Sequence, residues 1–499
     1  MSNIRRQSII SSLVIYIGFA IGLLNTYFFT KDNYYFTEDQ YGMATGAFIA
    51  IATMMMAFAT LAMPSYVFKF FPYYNDNLPP KKNDLITWAL LVSTIGFVIV
   101  VIAGIVFKHL IVRKFGEHAP QLLTYYNWIF PMGLGLTFYT VLEAYTWSLH
   151  KSVFTNYLRE IQWRLYTTLL IALVITGVIK DFDLFIKLYA FGYPSIALTL
   201  FIYLLVTKQI HFTFKVSKVS RRFSKKILAL CSYVSAGTLV FTLAKVFDTF
   251  VLASLKGLAA VGIFTLGDLI TSIIQAPQRS IVSASMSHLS KGWKEKNMGL
   301  IQKVYQRSSI NLLIFACGVF LLIWLNFSDG VNFFGLKKVY LEAASVFFLL
   351  GLAKIIDMGT GVNAQIIATS TYWRFELISG VILLCCVMPL SYFLAKSYGV
   401  IGPAIASVIS LSIYNLIRII FLWKKFKLFP FTPATLYTIV FAAVAYGICY
   451  FAFKDMHGLM GMIIRSTCFL ILYGTGVIYF KLSPDIKPVW IAVRKRLGM

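Results

Sequence analysis

Residues 85–107, LITWALLVSTIGFVIVVIAGIVF, contain no charged side chain and are bracketed by Lys81 and Lys82 on one side and Lys108 on the other. A bilayer core roughly 30 Å thick is crossed by about 20 mostly apolar residues in a helix. In lipid, only helices or closed barrels satisfy their own backbone groups. A barrel strand would alternate apolar and polar residues over about ten positions, and this run does not. It reads as a membrane-crossing helix, and similar runs fill the chain. They lie near 9–30, 43–68, 85–107, 121–148, 161–179, 182–206, 227–254, 259–287, 309–327, 341–369, 376–395, 402–423, 434–453 and 459–480. The expectation is an all-α polytopic membrane protein with 14 transmembrane helices, numbered here as spans 1–14.

The basic residues alternate between the gaps. One set of gaps holds Arg5 and Arg6, then Lys69, Lys81 and Lys82, then Lys151, Arg159 and Arg164. It continues through the cluster from Lys208 to Lys226, Lys291 to Arg307, Arg374, Lys424 to Lys427, and a tail containing Lys481, Lys487, Arg494, Lys495 and Arg496. The other set is poorer by roughly threefold, the bias that marks cytoplasmic loops and places both termini in the cytoplasm. A net charge of +26 is thus a topology signal. Spread over many loops, it makes no nucleic-acid-binding patch. Span 1 follows Arg5 and Arg6 without a small-residue cleavage site, so an uncleaved signal-anchor is expected. With 59% hydrophobic residues and a mean hydropathy of +0.76, there is no room for a sizeable soluble domain.

The longest polar gap, 207–226, divides the first twelve spans evenly. This predicts a six-helix lobe at 1–206, a basic cytoplasmic linker at 207–226 and a second six-helix lobe at 227–424. Residues 425–499 then supply spans 13 and 14 and a basic cytoplasmic tail. Each lobe has an even number of crossings, so the two would be parallel repeats about an axis along the membrane normal. Spans 2 and 8 support this pairing. Each opens on an apolar-Gly-apolar triplet, Tyr41-Gly42-Met43 and Val261-Gly262-Ile263, and each carries a later proline, Pro64 or Pro277, that should kink the helix.

Polar residues fall on single faces in the second half. On span 8, Asp268, Ser272, Gln275, Arg279 and Ser283 share an arc of one helix face, and span 7 places Lys245 on a stripe with Asp248 near its edge. Span 10 does the same with Lys354, Asp357, Gly361 and Gln365. Charge inside a bilayer is costly, so such faces turn toward a bundle interior or a wet cavity. Arg279, Lys245, Lys354, Gln275 and Ser272 are therefore candidate substrate-binding residues. Lys245 with Asp248 and Lys354 with Asp357, each spaced i, i+3, equally suit self-neutralising pairs. Glu143 is the one deep carboxylate of the first half, with Tyr139 and Trp147 on its face. It suits a cation site, a partner for a cation, or a tyrosine-bonded structural carboxyl. Glu143, Asp268, Asp357 and Asp248 are the candidates for cation coupling or charge balance. Gly18, Gly22 and Asn25 share a face of span 1 and read as helix packing, while Lys187, Arg418 and Arg465 sit near span ends and read as snorkelling.

Catalytic and metal constellations are missing from the sequence. The six histidines lack ligand spacing, the six cysteines lie in spans as small hydrophobes, and no strand precedes a phosphate-cradling glycine loop. No outward loop is long enough to house an enzyme site. The expectation is a non-enzyme without a cofactor, driven by an H⁺ or Na⁺ gradient or by the membrane potential.

The segment VFDTFVLASLKGLAAVGIFTLGDLITSIIQAPQRSIVSASMSHLS (246–290) resembles the span 7–8 region of the polysaccharide and lipid-linked oligosaccharide flippases. These belong to the multidrug/oligosaccharidyl-lipid/polysaccharide (MOP) exporter superfamily. The features that match are Asp248, Gly262, Gln275 with Pro277, and Leu289-Ser290. Segments 37–56, 339–377 and 398–426 resemble the family's spans 2, 10 and 12, so the likeness runs in order along nearly the whole chain. It implies two pseudo-symmetric lobes around a central cavity that opens alternately to each side of the bacterial cytoplasmic (inner) membrane. The implied substrate is an O-antigen, capsule or exopolysaccharide unit on undecaprenyl pyrophosphate, with polysaccharide polymerase or export machinery as partners. A multidrug extruder and a lipid II flippase of the same superfamily are the alternatives. The peptidoglycan-precursor flippases carry arginines in span 1, where this chain has Gly18, Gly22 and Asn25.

Overall fold

The computed structural model describes the backbone of residues 2–32, 35–149 and 151–485. The side chains of 2–9, 11–12, 279–280, 283–284 and 287 lie outside the described residues, as do tail residues Lys487, Arg494, Lys495 and Arg496. The described chain is helical, and eleven of its helices are long and apolar enough to cross a membrane. They correspond to spans 1–3, 6, 7 and 9–14. The expected count of 14 is not reached by that measure, and each shortfall has a local cause. The helix Ile129–Ser148, at span 4, is diluted by tyrosine, threonine and Glu143. At span 5, Ser152–Ile175 carries Arg159, Glu160 and Arg164. Span 8 is broken.

The breaks follow from proline chemistry. Pro64 has no N–H to give the carbonyl of Thr60, four residues back, and Met63 N–H takes that carbonyl instead at 2.8 Å. At Pro277 the orphaned carbonyl belongs to Ile273, and Ala276 N–H takes it at 3.2 Å. In both cases the helix tightens to an i→i−3 bond and stops. Leu61 and Ala62 are forced to φ of 45° and 59°, and the second half of span 2 restarts as Met63–Asn77. Span 8 becomes Leu258–Ser272, a turn over 273–277, and Gln278–Lys294. The expected continuous stripe from Asp268 to Ser283 is therefore not a single helix face. Span 10 breaks as well, between Ala343–Gly359 and Asn363–Thr369. There Gly361 adopts φ 65° against the backbone of Ser309, where a Cβ would collide.

Two compact units make up the chain, residues 1–262 and 263–499. The sequence placed the division at 207–226. Residues 218–226 are instead the first turns of a 38-residue helix, Lys218–Leu255, about 57 Å long. That helix packs on spans 2 and 3's neighbourhood in the first unit through the buried carboxylate of Asp84. One oxygen of Asp84 accepts from Ser217 N–H (2.9 Å), Ser220 Oγ (2.7 Å) and Trp88 Nε1 (3.1 Å). Within the second unit, spans 13 and 14 dock on span 9 through Cys317, Ala445, Cys449, Phe469 and Tyr473.

The glycines that open spans 2 and 8 meet face to face. A Cβ on Gly42 would strike the Leu258 carbonyl and Gly262 N, and one on Gly262 would strike the Glu38 carbonyl. Asp39 seals the crossing by accepting from Ala259 N–H at 2.7 Å, a side-chain cap across helices. The matching triplets are thus the two halves of one backbone contact. Gly42→Val or Gly262→Val should lower stability by about 1–3 kcal/mol, the usual cost of overpacking. A depressed melting temperature of the detergent-purified protein is the readout, and Gly447→Val, which has open space around it, is the control.

Candidate functional site

In the first unit, span 4 and the start of span 5 are tied at Thr155. Tyr139 Oη donates to its carbonyl at 2.6 Å and Trp147 Nε1 to its hydroxyl at 2.7 Å. This places Glu143, on the same face of span 4, against Arg159, whose Nη1 donates to Oε2 at 3.0 Å. The Tyr139 hydroxyl donates to Thr155 and also stands beside Glu143, and Arg159 is the charge partner of the carboxylate. Arg159 was assigned by sequence to a cytoplasmic loop. It lies on a wide π-helical turn, Leu158–Gln162, a distortion common at functional sites. Glu143 is 8% exposed in its side chain and Arg159 is 43% exposed.

Arg164 follows one turn later, paired with Glu160 at 2.6 Å. Its guanidinium lies on Gly18 and Gly22, and its carbonyl accepts from Asn25 Nδ2 at 2.9 Å. Thr168 Oγ1 completes the contact by donating to Asn25 Oδ1 at 2.7 Å. The Gly18, Gly22, Asn25 face is a packing face, as expected, and what it packs against is an arginine.

In the second unit, the breaks of spans 8 and 10 are bridged by a polar network. Gln275 Nε2 donates to Gln278 Oε1 at 3.3 Å, and Gln278 Nε2 reaches Asp357 at 3.4 Å. Asn415, on span 12, donates to Asp357 at 3.2 Å and accepts from Thr360 Oγ1 and Asn363 Nδ2. Asn363 then accepts from Arg418 at 3.4 Å. Arg418 also bonds Ser379 at 3.2 Å, pairs with Glu376 at 2.7 Å and lies 3.9 Å over the Tyr414 ring. At 2% exposure Arg418 is buried, and the snorkelling assignment is wrong for it. It is wrong for Arg465 too, which is buried and paired with Asp329. Lys187 does stay at the surface, paired with Asp183.

Of the expected site residues, the structure joins Gln275 and Asp357 through Gln278. The Lys354–Asp357 pair does not form among the described residues, because Asp357 is taken by Asn415 and Gln278. Lys354 is half-buried and Lys245 exposed. Asp248 is buried at 7% exposure. Asp268 and Ser272 are exposed, and Ser272 Oγ donates to the Leu269 carbonyl of its own helix. Arg279 belongs to the helix Gln278–Lys294, but its side chain lies outside the described residues. The missed members, Arg159, Asn363, Asn415 and Arg418, are bound by partners far away in sequence. The i, i+4 spacing of Tyr414 with Arg418, and Asn415 on the next position, was the legible trace. Among the described residues no group of His, Cys, Asp and Glu is arranged for a metal ion.

No protein-family model matches the chain, and no curated protein matches it in sequence. Solved structures do. The lipid II flippase MurJ in an inward closed conformation aligns with a TM-score of 0.71 at 15% identity, over 95% of this chain and 99% of that one. An inward-facing multidrug resistance MATE family transporter of the MOP superfamily aligns at 0.63 and 14% identity, over 84% and 97%. A MOP superfamily transporter from Pyrococcus furiosus aligns at 0.56 and 16% identity, over 85% and 95%. The chain has the fold of these flippases and transporters.

Removing one partner of a buried pair leaves an uncompensated charge. Arg418→Met should therefore destabilise the protein by about 3 kcal/mol, whereas Arg418→Met with Glu376→Leu should recover most of it. Thermal unfolding of the three proteins in detergent separates this from snorkelling, for which neither variant would melt early.

Proposed function

We propose that the chain is a flippase for a polyprenyl-pyrophosphate-linked oligosaccharide, an O-antigen, capsule or exopolysaccharide unit on undecaprenyl pyrophosphate. It carries the unit across the bacterial cytoplasmic membrane by alternating access, with both termini in the cytoplasm. The observation that carries this reading is the Glu143–Arg159 pair. A planar guanidinium, held by one carboxylate and still substantially exposed, presents donors in the fork that phosphate oxygens accept. Lys245, Lys354 and Arg279 remain the further cation candidates that the sequence offers for a pyrophosphate. Similarity in fold to a protein described as a lipid II flippase supports a lipid-linked substrate.

The multidrug extruder is the second reading, and the same pair weighs against it. An organic cation needs an uncompensated carboxylate, and Arg159 neutralises Glu143, the deep carboxylate of span 4. Against lipid II itself stands span 1, where Gly18 and Gly22 are filled by Arg164 and carry no cation of their own. For coupling, Asp357 is the best placed carboxylate. It sits where two broken helices meet, among amide groups that can rearrange when it gains a proton or a cation. Polysaccharide polymerase or export machinery would take the product on the far side.

Arg159→Ala with Glu143→Gln removes the pair without stranding a charge. The double variant should insert normally and lose flipping by roughly tenfold or more, with Arg159→Lys intermediate. Arg279→Ala should behave like the double variant, and Arg279→Lys should keep partial activity. Surface polysaccharide in a flippase-deficient strain, with membrane protein level as control, gives the measurement. Full activity of the double variant at normal protein level would refute the assignment.

A further inference from the structure

Near the turn between spans 8 and 9 lies a cavity of about 320 Å³ that the transport reading leaves unused. One wall is a single face of the helix Met298–Phe333. On it Leu300, Lys303, Val304, Arg307, Ser308 and Asn311 recur at helical spacing. The opposite wall is Ile281, Ser285 and His288 of the helix Gln278–Lys294, and the rim is closed by Asp485 of the tail. The cavity belongs wholly to the second unit.

Its electrostatics are unbalanced. Lys303 and Arg307 stand one turn apart on the same face, an arrangement of like charges that a helix disfavours. The single carboxylate on the cavity wall is Asp485. It approaches Arg307 at 3.6 Å, an ion-pair contact longer than a hydrogen bond, and accepts from Asn311 Nδ2 at 2.8 Å. No carboxylate lies within 4 Å of Lys303 among the described residues. The ammonium, the guanidinium and the Asn311 amide are all donors on the wall of one cavity, and the short acidic side chain meets two of the three. Leu300, Val304 and Ile281 line the floor with apolar surface. Residues 481–485, which carry Asp485, are anchored beside the cavity by buried Leu482 and by Ser483, whose hydroxyl bonds Asn311.

We propose that this cavity is a phosphate-binding site in which the Asp485 carboxylate holds the place of the anion until one arrives. A phosphate presents three oxygens and up to two charges. It can bond Lys303, Arg307 and Asn311 together, which the tail carboxylate does not. The apolar residues Leu300, Val304 and Ile281 beside these donors suit an anionic lipid headgroup. Free pyrophosphate offers the same oxygens. Glu143, Arg159 and Arg279 are not among the described residues that line the cavity, so the site holds whether or not the flipping assignment does.

Isothermal titration of the full-length detergent-purified protein tests it, with three probes: dioctanoyl phosphatidic acid, dioctanoyl phosphatidylcholine and inorganic pyrophosphate. Phosphatidic acid should bind, and phosphatidylcholine should bind at least tenfold more weakly. Lys303→Gln with Arg307→Gln, both exposed positions that leave folding intact, should weaken phosphatidic acid at least tenfold. Asp485→Asn should tighten it several-fold by removing the competitor. Preference for phosphatidic acid over pyrophosphate assigns the site to a lipid headgroup, and equal affinity assigns it to phosphate from either source. Unchanged affinity in the Lys303/Arg307 double variant overturns the proposal. So does weaker binding in Asp485→Asn, equal binding of phosphatidylcholine, or no binding of any probe to either wild type or Asp485→Asn.

Discussion

Hydrocarbon offers no water to a carbonyl that has lost its N–H partner, and much of this structure is the consequence. Pro64 and Pro277 each orphan one carbonyl inside a spanning helix. The chain answers identically at both sites: the residue before the proline closes a shorter bond, the helix ends, and a second helix begins. A break at such depth is tolerated only where protein or a wet cavity surrounds it. The break in span 8 brings Gln275 and Gln278 within reach of Asp357, beside a third break at Gly361. Broken helices and the polar network of the second unit are thus one feature.

Charge obeys the same constraint. An ionised group inside the membrane is retained where a partner meets it, and here most partners come from another span. Glu143 finds Arg159, Arg418 finds Glu376, and Arg465 finds Asp329. The neighbour at i, i+3 does not serve Asp357, because Asn415 and Gln278 reach it with amide donors from the side. Pairing across helices fixes their relative rotation, which a pair within one helix cannot do. The partly exposed Arg159 differs from the buried Arg418 on this ground. Arg418 is saturated by Glu376, Ser379, Asn363 and the Tyr414 ring, and it holds spans 11 and 12 and the second half of span 10 together. Arg159 has one carboxylate, Glu143, in ion-pair contact and a side chain that is 43% exposed.

Close approach of backbones is the third element. Gly42 and Gly262 remove the side chains that would keep the starts of spans 2 and 8 apart, and Asp39 caps across the contact. Gly18 and Gly22 do the same for span 1, where Gly18 admits the Glu160 carbonyl and the Arg164 guanidinium and Gly22 admits the Arg164 side chain. The lack of cations in span 1 therefore coexists with a guanidinium lying against it.

How much of this was legible along the chain depended on the range of the interaction responsible. Membrane crossing, the all-helical class, the MOP-type architecture and the packing face of span 1 follow from runs of apolar residues, glycine spacing and motifs read in order. These are local properties, set by hydration and by backbone geometry within a few residues. The prolines announced distortion, but whether a helix bends or breaks depends on the surroundings that accept its free backbone, so spans 2 and 8 read as continuous; span 10 breaks at Gly361 with no proline to announce it. The long helix Lys218–Leu255 looked like a linker at its start because Arg221, Arg222, Lys225 and Lys226 are polar. Asp84, more than 130 positions away, docks that start on the first unit. Arg159 looked like a loop residue and Arg418 like a snorkelling one for the same reason. The composition of each span determined that it would enter the bilayer, whereas the partner of each buried charge was decided by tertiary structure, because a neutralising group need only be near in space.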